Sequence, residues 1–355
     1  MHVPNAPREP VSRPSGGRRA DLPRPEEARI FGWLFDSGLC DPQGRVQSWL
    51  NPKKPGYVYP EIMGYYASLC AERARTDAGR PWLARGQLVG RAIVASLSPA
   101  GGLGRAGIDY TFDTGIALCG LARVDSISGR TDFAPAIARM ADFLAVNLSR
   151  RVVACKGGEP VVDDTSWSLS FGASALKTGI ALDTAATLLG DDRARELARS
   201  VVGEVVETCF RNDAFQVNAR RPWVYAHAHC YAVEGLLALS KRKLADPAPI
   251  APAAAWLARV QNPDGSLTNY HGRPEAELAR QGDATSQAVR IWSAVDAERF
   301  SAEISAALGF LHSLQTPAGG LRYNHSSQDV NSWVSMFAGQ ACLFARGERE
   351  VEWLL

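Results

Sequence analysis

Four groups of polar residues recur at helical spacing inside segments whose remaining residues are small and apolar. They are Glu61–Tyr65–Ser68, Ser170–Ser174–Lys177, His227–Tyr231–Glu234 and Asp283–Gln287–Arg290. Each group runs i, i+4 (or i+3), i+7, so each lies along one helix face. A surface helix turns its polar stripe to water and its apolar stripe inward. Here the flanks, as in AHAHCYAVEGLLAL and FDTGIALCGLA, leave no apolar stripe set apart from a wet face. The polar stripes must therefore face a second, internal hydrophilic surface: a cavity walled by several helices.

The connections support this. Helices are expected at about 25–36, 58–75, 82–97, 111–126, 133–149, 170–189, 192–210, 225–241, 251–261, 283–295, 300–315 and 330–346, where Ala, Leu and Val dominate. Alternating β-branched runs are nearly absent, apart from pieces such as VVDD and LTNY. Links near 76–81, 127–132, 190–191 and 296–299 are short, as between antiparallel neighbours. Links at 98–110, 150–168, 211–224, 262–282 and 316–329 are long, rich in Gly, Pro and Asp, and lead towards the next inner helix. SLSPAGGL, ARVQNPDGSL and HSLQTPAGGL repeat one another, and an acid (Asp113, Asp283 or Asp329) follows each near a helix start. Looser copies are CKGGEPVVDDTSW and RNDAFQVNARRPW.

Helical hairpins repeated in this way predict an all-α fold, an (α/α)6 toroid of six hairpins around a central pit. The striped helices form its inner ring, and WLARGQLVGRAIVASL and FAPAIARMADFLAVNL belong to the outer ring. An open α-solenoid is the alternative. One domain from 26 to 355 is expected behind a basic, Pro/Arg-rich, disordered tail over 1–25.

At this point the chain resembles the superfamily of α/α toroids that includes terpenoid cyclases, prenyltransferase β-subunits and many carbohydrate-active enzymes. QNPDGSL and QTPAGGLRYN resemble the Gln-x-x-Asp-Gly-Gly-Phe turns of prenyltransferase and squalene-cyclase repeats. YVYPEIMGYY, FDTGIALCGL, HAHCYAVEGLL and DVNSWVSMFAGQACLF are similar to motifs of bacterial toroid proteins associated with polysaccharide and glycoconjugate biosynthesis. The departures are informative. The acid of class II terpene cyclases, Asp-x-Asp-Asp, is incomplete at Asp163–Asp164, and the class I Asp-Asp-x-x-Asp fails at Trp167. The zinc-binding Asp-x-Cys of prenyltransferases reads Asp329–Val330–Asn331, and the zinc ligands of lanthionine cyclases have no counterpart. Diphosphate and zinc chemistry are disfavoured, and no cofactor is expected.

His227 and His229 diverge by about 200° on a helix, so both cannot reach one ion. His227 and Cys230 share a face but lack a second ligand pair, and no metal is expected. His227 reads either as a pit-facing acid/base group or as a satisfied core histidine. Glu61 follows Pro60 in a first turn, where a carboxylate complements the helix dipole, yet Tyr57, Tyr59, Tyr65 and Tyr66 crowd it as a sugar ring would require. Asp113, Asp283 and Asp329 read as helix caps that also gather at one mouth. Trp167, Trp223, Trp292 and Trp333 are expected at that rim, as core or as a stacking platform. Lys177 reads as a snorkelling residue or as a pit-facing cation.

The function expected is acid/base chemistry on a glycan or glycoconjugate intermediate: hydrolysis, elimination or epimerisation in the pit. Glu61, Asp113, His227 and Asp283 are the candidate acids and bases. Tyr59, Tyr65, Lys177, Tyr231, Gln287, Arg290, Tyr323, Asp329 and Trp333 are the candidate substrate-binding groups. An isoprenoid-type cyclase or prenyltransferase-like enzyme is one rival; a non-catalytic glycan-binding toroid is another. The partner is a small molecule or oligosaccharide. A formal charge of +2, from 39 basic and 37 acidic residues, gives no argument for nucleic acid or anionic membrane. No apolar run approaches the ~20 residues of a membrane span. Seven scattered cysteines without a CxxC pair read as reduced thiols and a cytoplasmic location. Oligomeric state has no signature here.

Overall fold

The computed structural model describes residues 22–348 and residue 351. Most of the tail expected over 1–25 lies outside these residues; within it, Pro25 is buried. The described residues form twelve helices: α1 Glu27–Asp36, α2 Pro60–Ala74, α3 Trp82–Ala95, α4 Thr111–Ser128, α5 Ala134–Ser149, α6 Ala175–Leu189, α7 Asp192–Cys209, α8 Ala226–Lys241, α9 Ile250–Val260, α10 Gly282–Asp296, α11 Ser301–Leu314 and α12 Ser332–Ala345.

Burial sorts them into two rings. Along α4 every residue from Thr111 to Ala122 is buried, polar and apolar alike, as expected of a helix with neighbours on all sides. In α7 only Ala194, Ala198, Val201, Val202, Val205 and Cys209 are buried, a single stripe at i, i+4, i+7 spacing. The inner ring runs α2, α4, α6, α8, α10, α12 and closes where α12 meets α2. The outer ring is α3, α5, α7, α9, α11 and α1, with α1 packed on α12. The first and last of the described helices therefore make up one hairpin. A strand at Trp49–Leu50 pairs antiparallel with Val330–Asn331, and the Ser332 hydroxyl donates to the Ser48 carbonyl at 2.7 Å, which fastens the closure. The expected (α/α)6 toroid is present, and the open solenoid is not.

The repeated Gly-containing turns have a common structural job. Gly101, Gly265 and Gly319 have φ of 87°, 88° and 108°, in the left-handed region that favours glycine. A Cβ at these positions would lie 2.5, 2.1 and 2.3 Å from the carbonyl oxygens of Arg139, Ala306 and Arg29, on the outer helices α5, α11 and α1. Gly44 has φ of 85°, and a Cβ there would lie 2.5 Å from the Leu88 oxygen of α3, a further copy of the same turn. Two residues past each of the first three glycines, the amides of Leu103, Leu267 and Leu321 donate to Thr114, Thr285 and Ser335 at 2.9 Å each. Those hydroxyls donate onward to the carbonyls of Tyr110, Gln281 and Asn331, four residues back at the caps of their own inner helices. Each turn thus bolts an outer helix to an inner one. In the connection between α7 and α8 the His229 ring takes the hydroxyl's place, with Nδ1 accepting from the Phe215 amide at 3.0 Å.

Some boundaries differ from expectation. The sixth helix starts at Ala175 and not at 170, because Ser166–Gly172 folds as turns in which the Ser170 hydroxyl donates to the Ser166 carbonyl. Ser170 therefore does not share a helix face with Lys177. Trp292 sits in the third turn of α10, not at the rim, and its indole N–H donates to the Ala254 carbonyl of α9 at 3.0 Å. No helix among the described residues is long and apolar enough to cross a membrane.

Gly265→Ala should lower stability by about 1–3 kcal/mol, from an unfavourable φ and a forced shift of α11. Gly203→Ala, on the exposed side of α7 with open space around it, should be neutral or stabilising by ~0.5–1 kcal/mol. Urea denaturation of the two variants checks both signs.

Candidate functional site

A cleft of ≈ 390 Å³ opens at the N-terminal end of the inner helices. Seven of the thirteen candidates line it: Tyr59, Glu61, His227, Asp283, Tyr323, Asp329 and Trp333. Trp49, Lys54, Tyr57, Arg105, Trp167, Ser168, Tyr225 and Asn331 complete the wall. These come from the connections and strand pairings, whose positions no helical periodicity encodes.

Glu61 stands in the first turn of α2 and is 4% exposed. Its Oε1 accepts from the Tyr231 hydroxyl at 3.1 Å and from the Trp333 indole N–H at 3.3 Å. Burial pushes its carboxyl up to about 7, against the pull of those two donors and of the Lys177 charge. Asp113, in the first turn of α4, lies behind the wall and takes a 3.3 Å hydrogen bond from the Tyr59 hydroxyl. Burial raises its carboxyl well above the usual range, and the Glu61 charge raises it further. Neither acid caps its helix; the cap of α12 is Asn331, which accepts from the Val334 amide at 3.1 Å. Asp329, expected as a cap, accepts from Asn51 at 2.7 Å and lies 3.8 Å from Lys54 at the rim.

Across the ring, α8 stands opposite α2, and α10 opposite α4. His227 of α8 packs on the Tyr231 ring at 4.2 Å, with Nδ1 3.7 Å from the Asp283 carboxylate of α10. Burial lowers its proton affinity and Asp283 partly restores it, so the imidazole is neutral at pH 7. Asp113 Oδ2 and His227 Nδ1 are buried without a hydrogen-bond partner among the described residues. An unmet group of this kind costs about 1–3 kcal/mol, a cost that functional sites tolerate. His229 faces away from the pit, towards Phe215 and the Ala253 carbonyl, and burial lowers it to about 3. The two histidines diverge as helix geometry requires. Among the described residues no three His, Cys, Asp or Glu side chains converge as metal ligands would.

Five candidates lie below the floor, with Asp113 the sixth outside the lining. Tyr65 stacks on Tyr231 at 6.5 Å. Lys177 donates to Glu234 at 2.6 Å, Gln287 donates to Glu234 at 3.1 Å, and Arg290 bridges Glu234 and Gln340. Neither expectation for Lys177 holds: it is fully buried and paired, so it neither snorkels nor lines the pit. Gln287 and Arg290 are likewise structural neighbours of the site. Trp223 does not line the cleft; it packs edge-on against Tyr270. Arg105, which sequence reasoning missed, lies over the Tyr57 and Tyr59 rings at 5.8 and 5.2 Å and donates to the Tyr57 hydroxyl. It forms no ion pair with a carboxylate among the described residues. It follows the SPAGGL turn by two residues, but nothing in the pattern distinguishes it from a surface arginine.

No protein-family model matches the chain, and no curated protein sequence does. Solved structures do resemble it. An unsaturated glucuronyl hydrolase specific for heparin aligns over 90% of this chain and 96% of its own, with a TM-score of 0.68 at 12% identity. Cellobiose 2-epimerase from Spirochaeta thermophila aligns over 91% and 96%, with a TM-score of 0.68 at 15% identity. The unsaturated glucuronyl hydrolase of Bacillus sp. GL1 aligns over 91% and 97%, with a TM-score of 0.67 at 14% identity. These relatives are carbohydrate-active α/α toroids, and the likeness establishes that this chain has the same fold.

The raised proton affinity of Glu61 has a stability consequence. Below about pH 4.5 the group is protonated in both folded and unfolded states. Between about pH 4.5 and about 7 the unfolded chain releases this proton while the folded state keeps it, so stability is lost across that window and stays lost above it. Glu61→Gln should therefore be more stable than wild type at pH 8, by on the order of 2–3 kcal/mol, and much closer to it at pH 5. Chemical denaturation at the two pH values checks this.

Proposed function

We propose that the protein is a carbohydrate-active enzyme that moves protons on a sugar ring held in the pit, in a hydrolysis, elimination or epimerisation. The observation that carries this reading is the opposed pair of walls: buried, protonatable carboxyls on α2 and α4 face a neutral imidazole backed by a carboxylate on α8 and α10. A group with a proton affinity near neutrality donates and recovers a proton efficiently at physiological pH. Glu61, held up at about 7, is assigned as the acid, with Asp113 behind it, while His227 with Asp283 is the acceptor.

The lining supports a sugar over an isoprenoid. Its rings belong to Tyr and Trp, which offer a flat face to C–H groups and a hydrogen-bonding atom to hydroxyls. Trp167 and Tyr225 lie nearly parallel at 6.1 Å and 21° on one side, and Tyr59 and Trp333 meet on the other. Arg105, with Lys54 beside the rim, supports a substrate that carries a carboxylate or sulfate, because a guanidinium without an acidic partner suits a planar anion. The likeness in fold to an unsaturated glucuronyl hydrolase and to a cellobiose 2-epimerase supports both halves of this reading. Seven buried free cysteines support a reducing, cytoplasmic setting.

The test is a panel of neutral and uronate-bearing disaccharides incubated in D2O, followed by NMR. Deuterium at a ring carbon marks epimerisation, a new reducing end marks hydrolysis, and a new alkene marks elimination. Glu61→Gln and His227→Ala should each lower kcat by ~10²–10⁴-fold while leaving substrate binding within a few-fold. Binding retained with no turnover in the wild type would instead favour a glycan-binding toroid. The rate of the wild type should fall as pH rises past about 7, where Glu61 loses its proton. Separately, Arg105→Met should raise KM for acidic sugars about tenfold and leave neutral ones unchanged, the loss of a charge-assisted contact.

A further inference from the structure

Beneath the pit lies a cation that the proposed reaction does not itself use. Lys177, near the start of α6, has no solvent-exposed side-chain surface. Its Nζ is 2.6 Å from Glu234 Oε2 and also faces the rings of Tyr231 and Tyr65, at 4.7 and 5.1 Å from their centroids. The Tyr231 hydroxyl, at the far end of the same ring, donates to Glu61 Oε1 at 3.1 Å. A charge held against the face of a phenol inside a low-dielectric core polarises it, and its O–H becomes a better donor.

We propose that Lys177 is a positioning residue that sets the proton affinity of Glu61 through the Tyr231 phenol, and so fixes the pH range in which that acid is protonated. The proposal rests on the reading of Glu61 as the acid for its catalytic meaning, but the proton affinity itself is measurable without turnover.

The surroundings of Glu61 leave Lys177 a distinct place. Asp113 from α4 and Tyr59 and Tyr65 from its own helix region interact with it electrostatically. Trp333 from α12 and Tyr231 from α8 donate to it, and the charge of Arg105 at the open rim also lowers it, across the cleft and not through that phenol. His227 and Asp283, from α8 and α10, share the cleft. Arg290 is the other deeply buried cation near this core, and it is bound to Glu234 and Gln340. Only Lys177, among these cations, stands against the ring that reaches Glu61. The influence has the right sign: the Lys177 charge lowers Glu61, and the Glu61 charge raises Lys177.

The experiment is a 13C NMR titration of protein labelled at the glutamate side-chain carboxyl, with the Glu61 signal assigned by its loss in Glu61→Gln. In wild type the midpoint should lie at about 7. Lys177→Met, which leaves Glu234 with Arg290 and Gln287, should raise it by about one pH unit, the low end of the effect of a nearby opposite charge. Tyr231→Phe should also raise it, and the double variant should rise by clearly less than the sum of the two single shifts. An unchanged midpoint in Lys177→Met overturns the proposal. Additive shifts in the double variant overturn it too, because the charge would then act without the phenol.

Should Lys177→Met fail to fold, reciprocity supplies a second measurement. The Lys177 amine, which burial holds down at about 8, should lose affinity by the same amount in Glu61→Gln, and the change should shrink when Tyr231 is Phe. No change in the amine overturns the proposal. A midpoint of Glu61 that moves while the upper pH limit of turnover does not would leave this inference standing and remove Glu61 from the acid's role.

Discussion

The buried carboxylate of Glu234 is the point on which the inner ring converges. From α8 it receives Lys177 of α6 and both Gln287 and Arg290 of α10. Arg290 continues to Gln340 of α12, and Gln340 donates to Glu72 of α2 at 3.4 Å. One hydrogen-bonded chain therefore joins five of the six inner helices. Charges removed so completely from water are costly to leave unpaired, so each helix is held at the distance and rotation that satisfies them. Hydrophobic packing holds the rings together; this network specifies how the inner helices face one another. The floor of the pit is its upper surface.

The pit above takes its electrostatics from depth. Glu61 and Asp113 are carboxyls that burial makes hard to ionise, whereas Asp329 at the rim is paired with Asn51 and Lys54. Aromatic rings divide these zones. Tyr59 lies between Asp113 and the cleft, and Tyr231 lies between the Glu234 network and Glu61. The same residue type thus serves as wall, donor and insulator, according to how far down an inner helix it sits.

Much of this was legible beforehand. A polar stripe without an opposing apolar stripe has few physical solutions, and the closed ring is the one found. Glu61, His227 and Asp283 reach a common cleft because the first turns of α2, α8 and α10 open to one end of the toroid. Depth was not legible. Gln287 and Arg290 are one and two turns further along the face that carries Asp283, so spacing could not separate lining from floor. Lys177 was ambiguous for the same reason: its neighbours fix its face, and only its distance from the mouth reveals Glu234 as the partner. Arg105, Trp49 and Tyr225 come from loops and strand pairs, where no period exists to read. The repeated glycines did point to a shared structure, but their service to the outer ring shows only in the carbonyls they approach.

The hairpin formed by α1 and α12 joins the first and last helices of the ring, nearly 300 residues apart in sequence, and gives it no independent first unit. During synthesis, the early helices emerge with their last neighbour still inside the ribosome. The strand at Trp49–Leu50 then waits for Val330–Asn331, and Trp333 reaches Glu61 only at that stage. Contacts so distant make closure a late event in assembly. A truncated translation product thus carries most of the helices and still lacks the indole that completes the surroundings of Glu61, so that the cleft is whole only with the final turn of the ring.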